Sequence, residues 1–149
     1  MVAAVTFDDF VGHLGLGYHG NMHTNLMKVS LWNAATAPSQ TADGVLADLD
    51  SGAEVANGNG YTTGGEDVTN TYSETAGVGT CDGTNIVWTA SGGTIPTIRY
   101  AVLYNTQTTT VANGLIASWD YGSEITLADG ETFTFNIVTT LFTITASDT

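Results

Sequence analysis

The stretch "SEITLADGETFTFNIV", Ser123 to Val138, reads as two extended runs around one turn. Asp129-Gly130 is a two-residue turn signal, because the tight turns that join antiparallel strands need positive φ, which these residues tolerate. Past the turn, Phe133, Phe135 and Ile137 alternate with Thr132, Thr134 and Asn136. A period of two, apolar on one side and polar on the other, means one buried face and one wet face. The stretch is therefore expected to form a hairpin within an antiparallel sheet.

The same pattern recurs on either side. "EDVTNTYSE", "TNIVWTAS", "TIRYAVLYN", "GLIASWDYG" and "LFTITAS" are further strand candidates, separated by Gly, Asn and Asp. In "TIRYAVLYN", Ile98, Tyr100, Val102 and Tyr104 oppose Ala101 and Leu103, so both faces are apolar and the strand belongs in the middle of a sheet. "LMKVSLWN" sets Met27, Val29 and Leu31 against Lys28, Ser30 and Trp32. "AATAPSQTADG" reads as a connector, followed by the short apolar piece "VLADL". Short strands between turn residues indicate an all-β chain, an antiparallel β-sandwich or a jelly-roll-like barrel. No repeat of fixed period is visible, which argues against a β-helix or a propeller.

The first 25 residues differ. Thr6 stands three residues before Asp9, with acids where a first helical turn prefers them. Phe7, Phe10, Val11 and Leu14 make one apolar stripe. Gly12, Gly15 and Gly17 weaken a helix and are expected to end it near Leu16. Residues 1–25 are read as an arm with a short helix or a single turn, and residues 26–149 as one antiparallel β domain. An arm of this kind is expected to reach a neighbour, and its removal to leave the β domain folded.

Composition narrows the function. The chain has 149 residues, 42% of them hydrophobic and only 11% charged, against about 25% charged in a typical globular domain. Fifteen carboxylates face two cations, Lys28 and Arg99, for a formal charge of −13. Phosphate neutralisation needs clustered Lys and Arg, so nucleic acid is rejected as a partner, and so is an anionic membrane. Each cation is expected beside a carboxylate, with Asp120 the candidate for Arg99. The N-terminus has no basic run before an apolar one, so no signal peptide is expected. No stretch approaches the ~20 apolar residues of a spanning helix.

Five motifs invite a chemical reading. "GNGYTTGGED", Gly58 to Asp67, resembles a phosphate cradle, but no lysine follows it and Glu66 and Asp67 stand where phosphate charge would need relief. Its glycines are expected to supply positive φ, with Tyr61 as the anchor, its ring packed and its hydroxyl wet. His13, His19 and His23 are the only imidazoles. His19 and His23 have the spacing of a zinc pair on a helix, though Gly20 breaks the helix; the other reading is exposed or interface imidazoles titrating near pH 6.5. Asp48, Asp50 and Glu54 around Gly52 are in calcium-loop order, but Asn59 stands where the twelfth-position glutamate belongs; a looser calcium site and a turn with solvated acids both stay open. Cys81 is expected in a loop and lacks the base that a nucleophile needs. Trp32, Trp88 and Trp119 read as core or interface. No residue is assigned to catalysis, to a cofactor or to a metal.

Taken in order, "LMKVSLWNAATAP", "VLADL", "NGNGYTTGG", "VWTASGGTIPTIRYAVLYN" and "WDYGSEITLADGETFTF" resemble small structural proteins from the virion gene modules of tailed bacteriophages. The resemblance runs from about Lys28 onward. It implies a non-enzymatic virion protein without cofactor. The expected place is the outer capsid surface, as a decoration or cement protein on the major capsid protein, self-associated as a homotrimer. The alternative it leaves open is a tail or fibre component that binds a host glycan or another tail protein; a third reading, outside the resemblance, is a carbohydrate-active enzyme or lectin.

Overall fold

A computed structural model of the chain describes residues 3–23, 27–106, 110–137 and 140–147. The expected boundary between Asn25 and Leu26 lies outside them. The elements are β1 (Val5–Thr6), α1 (Asp8–Gly15), β2 (Met27–Trp32), β3 (Glu66–Val68), β4 (Asn70–Thr75), β5 (Val78–Gly83), β6 (Ile86–Thr89), β7 (Ile95–Asn105), β8 (Gly114–Leu127), β9 (Thr132–Phe135) and β10 (Thr140–Thr145). All pairings are antiparallel. One sheet has the order β1-β8-β7-β2-β3; a second has β10-β5-β4; a third is the pair β6-β9. The chain is an antiparallel β-sandwich, as its alternation indicates.

The main core lies between these sheets. Met27, Val29 and Leu31 of β2 and Ile98, Ala101 and Leu103 of β7 meet Cys81, Trp88, Phe135 and Leu141 from the other strands. β7 is the middle strand of its sheet, flanked by β8 and β2. Its second apolar face is covered too. Residues 33–55 loop over it, with short 3-10 turns at Leu46–Asp48 and Ser51–Ala53. Leu49 and Ala53 pack there against Trp32, Tyr100, Val102, Tyr104 and Leu115. That is why β2 is buried on both faces although Ser30 and Trp32 oppose the core set; the Trp32 indole donates to Ser30 Oγ at 2.8 Å.

Asp129-Gly130 does form a turn, closed by Glu131 N to Ala128 O at 2.9 Å. The expected hairpin does not follow. β8 stays paired with β7 to its last residue, Leu127 opposite Ile95, whereas β9 pairs with β6, Phe133 opposite Trp88. Ala90 N to Glu131 O and Gly130 N to Ala90 O, both 2.8 Å, carry the ladder round the corner, and Gly92 N donates to Asp129 Oδ1 at 2.8 Å. The β6–β7 and β8–β9 connections thus cross from one sheet to the other side by side. A turn signal fixes the local bend, not the strand that the next run will meet.

The N-terminal helix is where the acids and glycines put it, with Leu16 as its C-cap. The segment around it is not a free arm. β1 pairs with β8, Phe7 N donates to Ile116 O at 3.1 Å, and Phe7 and Phe10 are buried in the two separate clusters. Two aromatic anchors three residues apart outweigh the looseness of the glycines.

Candidate functional site

The glycine-rich stretch spans the end of the sandwich. A Cβ on Gly60 (φ 97°) would lie 2.0 Å from Thr89 O, and one on Gly65 (φ 74°) 1.9 Å from Val29 O. The loop therefore touches β6 of one layer and β2 of the other, with backbone against backbone, and only glycine fits both places. Tyr61 is its anchor, but the hydroxyl is not wet. It accepts from Leu31 N at 3.0 Å and donates to Glu54 Oε1 at 2.8 Å. Glu54 Oε1 also accepts from Gly64 N at 2.6 Å, and the Tyr104 hydroxyl donates to Gly64 O at 2.5 Å. Burial pushes the Tyr61 phenol well above its ordinary range and that of Tyr104 up to about 12. Both stay protonated donors, and the network is a brace. Glu54 and Tyr104 carry no sequence signal for this role, because they join the loop from positions 7 and 40 residues away.

The acids in calcium-loop order do not converge. Asp48 Oδ2 accepts from Gly44 N and Val45 N, both at 2.9 Å. Asp50 takes Gly52 N at 3.0 Å and the Thr36 hydroxyl at 3.2 Å. Glu54 is held by Tyr61 and Gly64. Each carboxylate is engaged by separate protein donors, and among the described residues no three His, Cys, Asp or Glu side chains gather to hold a metal ion.

The histidines part company after α1. His23 is exposed, with Nδ1 3.1 Å from Tyr72 O and 3.2 Å from Tyr72 N at the outer edge of β4. His19 is only 3% exposed, against the expectation of an exposed or interface imidazole. It sits at the ends of β7 and β8, where Asn105 Nδ2 donates to its carbonyl at 2.8 Å. Burial, then the nearby His13, lowers its pKa to about 4. Cys81 is in β5 and buried, not in a loop, and burial pushes its thiol up to about 11. A thiol held protonated in this way is a poor nucleophile.

The two cations are paired. Arg99 Nε and Nη2 reach Asp120 Oδ1 and Oδ2, both at 3.1 Å, across β7 and β8. Lys28 Nζ reaches Asp67 Oδ1 at 3.1 Å across β2 and β3. The concavities are shallow. A groove of about 380 Å³ beside Trp32, Leu46, Leu49 and Glu54 offers one carboxylate, already engaged by Tyr61. Another, of about 140 Å³, lies against Val5, Tyr100, Ser118 and Asp120.

No known protein family, no curated protein and no solved structure matches this chain. Among the described residues no helix is long and apolar enough to cross a membrane.

Proposed function

We propose that the chain is a non-enzymatic structural protein of a tailed-phage particle, a decoration or cement protein seated on the outside of the major capsid protein shell as a homo-oligomer, expected to be a trimer. The virion setting of this reading rests on the resemblance of the sequence from about Lys28 onward; the observation that carries its non-enzymatic part is how the polar side chains are used. Glu54, Tyr61 and Tyr104 lock the loop that closes the end of the sandwich, and Asp48 and Asp50 lock the covering segment. The groups best suited to chemistry act as braces, which favours a rigid body whose work is done by its surface. The formal charge of −13 supports an outer position, since an acidic surface is repelled by packaged nucleic acid and keeps concentrated protein soluble. The experiment is to locate and count the protein on purified particles by electron microscopy. Hundreds of copies spread over the shell are expected. A few copies confined to the tail would replace the reading with a tail component, and absence from the particle would overturn it.

A further inference from the structure

We propose that His19, packed beside His13, is an acid-sensitive latch that holds the segment from Phe7 to His23 on the sandwich and releases it when the His19 imidazole becomes protonated. The geometry is that of a closed aromatic joint. From α1, the Phe10 ring meets His19 edge-on at 5.0 Å and the His13 ring lies 5.7 Å away; Tyr18 flanks His13 at 5.6 Å. From β7, Asn105 Nδ2 approaches His19 Nδ1 at 3.4 Å, and from β8, Gly114 is so close that a Cβ there would lie 3.0 Å from the His19 ring. His13 Nδ1 and His19 Nε2 are both buried and have no hydrogen-bond partner among the described residues. The charge that acts on His19 is that of His13. The carboxylates of α1 face elsewhere: Asp8 Oδ1 accepts from Gln40 at 3.0 Å, and Asp9 lies against Gly44.

A second proton on His19 would thus place a cation against a phenyl ring and an imidazole, with no acceptor for one N–H, and burying an unpaired charge is costly. The same proton costs nothing once the segment has swung out into water. An imidazole that titrates at about 4 when seated and near 6.5 when free favours the released state by roughly 30-fold at pH 5 relative to pH 7.5.

The test is hydrogen exchange of the full chain followed by mass spectrometry at pH 7.5 and pH 5.0, with rates corrected for the intrinsic pH dependence. Protection of peptides within residues 7–20 is expected to fall roughly 30-fold at pH 5, with peptides of β2 and β7 unchanged. His19→Phe should hold that protection flat, and His13→Gln, which removes the opposing charge, should give a smaller drop than the natural chain. The latch is overturned by protection that does not change with pH, by an equal loss across β2 and β7, or by a full response in either variant.

Discussion

The Tyr61 hydroxyl sits just beyond the first residue of β3, where the β2–β3 ladder stops. β3 pairs with β2 only through Val29, so the next outward N–H on that edge, Leu31, would face the interior unpaired. The phenol supplies the acceptor, and Glu54 accepts the phenol's own hydrogen bond in turn. Tyr61→Phe keeps the ring and removes the acceptor. A buried donor left unsatisfied costs about 1–3 kcal/mol, and that loss is expected in urea unfolding with the slope unchanged. Tyr104→Phe strips one bond from the Gly64 carbonyl at the part-buried end of the same network, so about 1 kcal/mol is expected. A larger loss in Tyr104→Phe than in Tyr61→Phe would show that the brace is anchored from the other end. The sequence makes Tyr61 legible as an anchor, because a lone aromatic among glycines has to pack somewhere. It cannot show where the hydroxyl points, since that is decided by an edge of β2 thirty residues earlier. His19 is hidden for a similar reason: glycines flank it, while Asn105 and Gly114, which enclose it, lie far along the chain.

Between elements, the two ion pairs offer a controlled comparison. Arg99 grips Asp120 with two parallel bonds between the long strands β7 and β8, and both side chains are about one-third exposed. Lys28 meets Asp67 as a point charge at the short strand β3, and Asp67 is 77% exposed. A planar fork loses less freedom per bond than an ammonium, and an exposed pair is screened by water. Arg99→Met is therefore expected to lower the urea midpoint more than Lys28→Met; equal small shifts would reduce Arg99 to an ordinary surface charge. The bonds from Arg99, then that from Gly122 N, hold the Asp120 carboxyl below its ordinary range. The unfolded chain then binds this proton before the folded one does as pH falls. The stabilisation is complete above the ordinary Asp value of about 3.9 and is lost as pH drops toward the folded value. The stability gap between the natural chain and Asp120→Asn should accordingly shrink below about pH 4, as thermal melts at stepped pH would read. A gap that stayed constant would mean that the contact is not titrating. The pairing of Arg99 with Asp120 was legible because two apolar runs of matching length imply adjacent strands. The partner of β9 was not, because Asp129-Gly130 encodes a bend and the corner is completed by Ala90 and Gly92.

At the scale of the whole molecule, period-two alternation and turn residues were enough to give the sandwich, but glycine spacing misdirected the reading of the N-terminus. Phe7 and Phe10 enter separate cores on the two faces of the main sheet, so deleting residues 1–20 opens both. The truncated chain is expected to keep a β-type circular dichroism spectrum but to melt at a clearly lower temperature than the full chain; an unchanged melting temperature would restore the free arm. The charge of the molecule sets how its stability responds to salt. Fifteen carboxylates oppose two cations, and both cations already sit 3.1 Å from a carboxylate, so the other acids meet mostly like charge. Folding draws those charges together, and self-repulsion opposes the compact state. Salt screens it, because the Debye length shrinks from about 30 Å at 0.01 M to about 3 Å at 1 M. Salt also weakens the two ion pairs, but these are partly exposed and few. Sodium chloride at pH 7 is therefore expected to raise the melting temperature steadily from about 0.01 M to about 1 M. Near pH 4.1, where the net charge vanishes, the same titration should be nearly flat. A melting temperature that fell with salt at pH 7 would mean that Arg99–Asp120 and Lys28–Asp67 outweigh the repulsion of all the other acids, and that the acidic surface carries no folding cost for a partner to relieve.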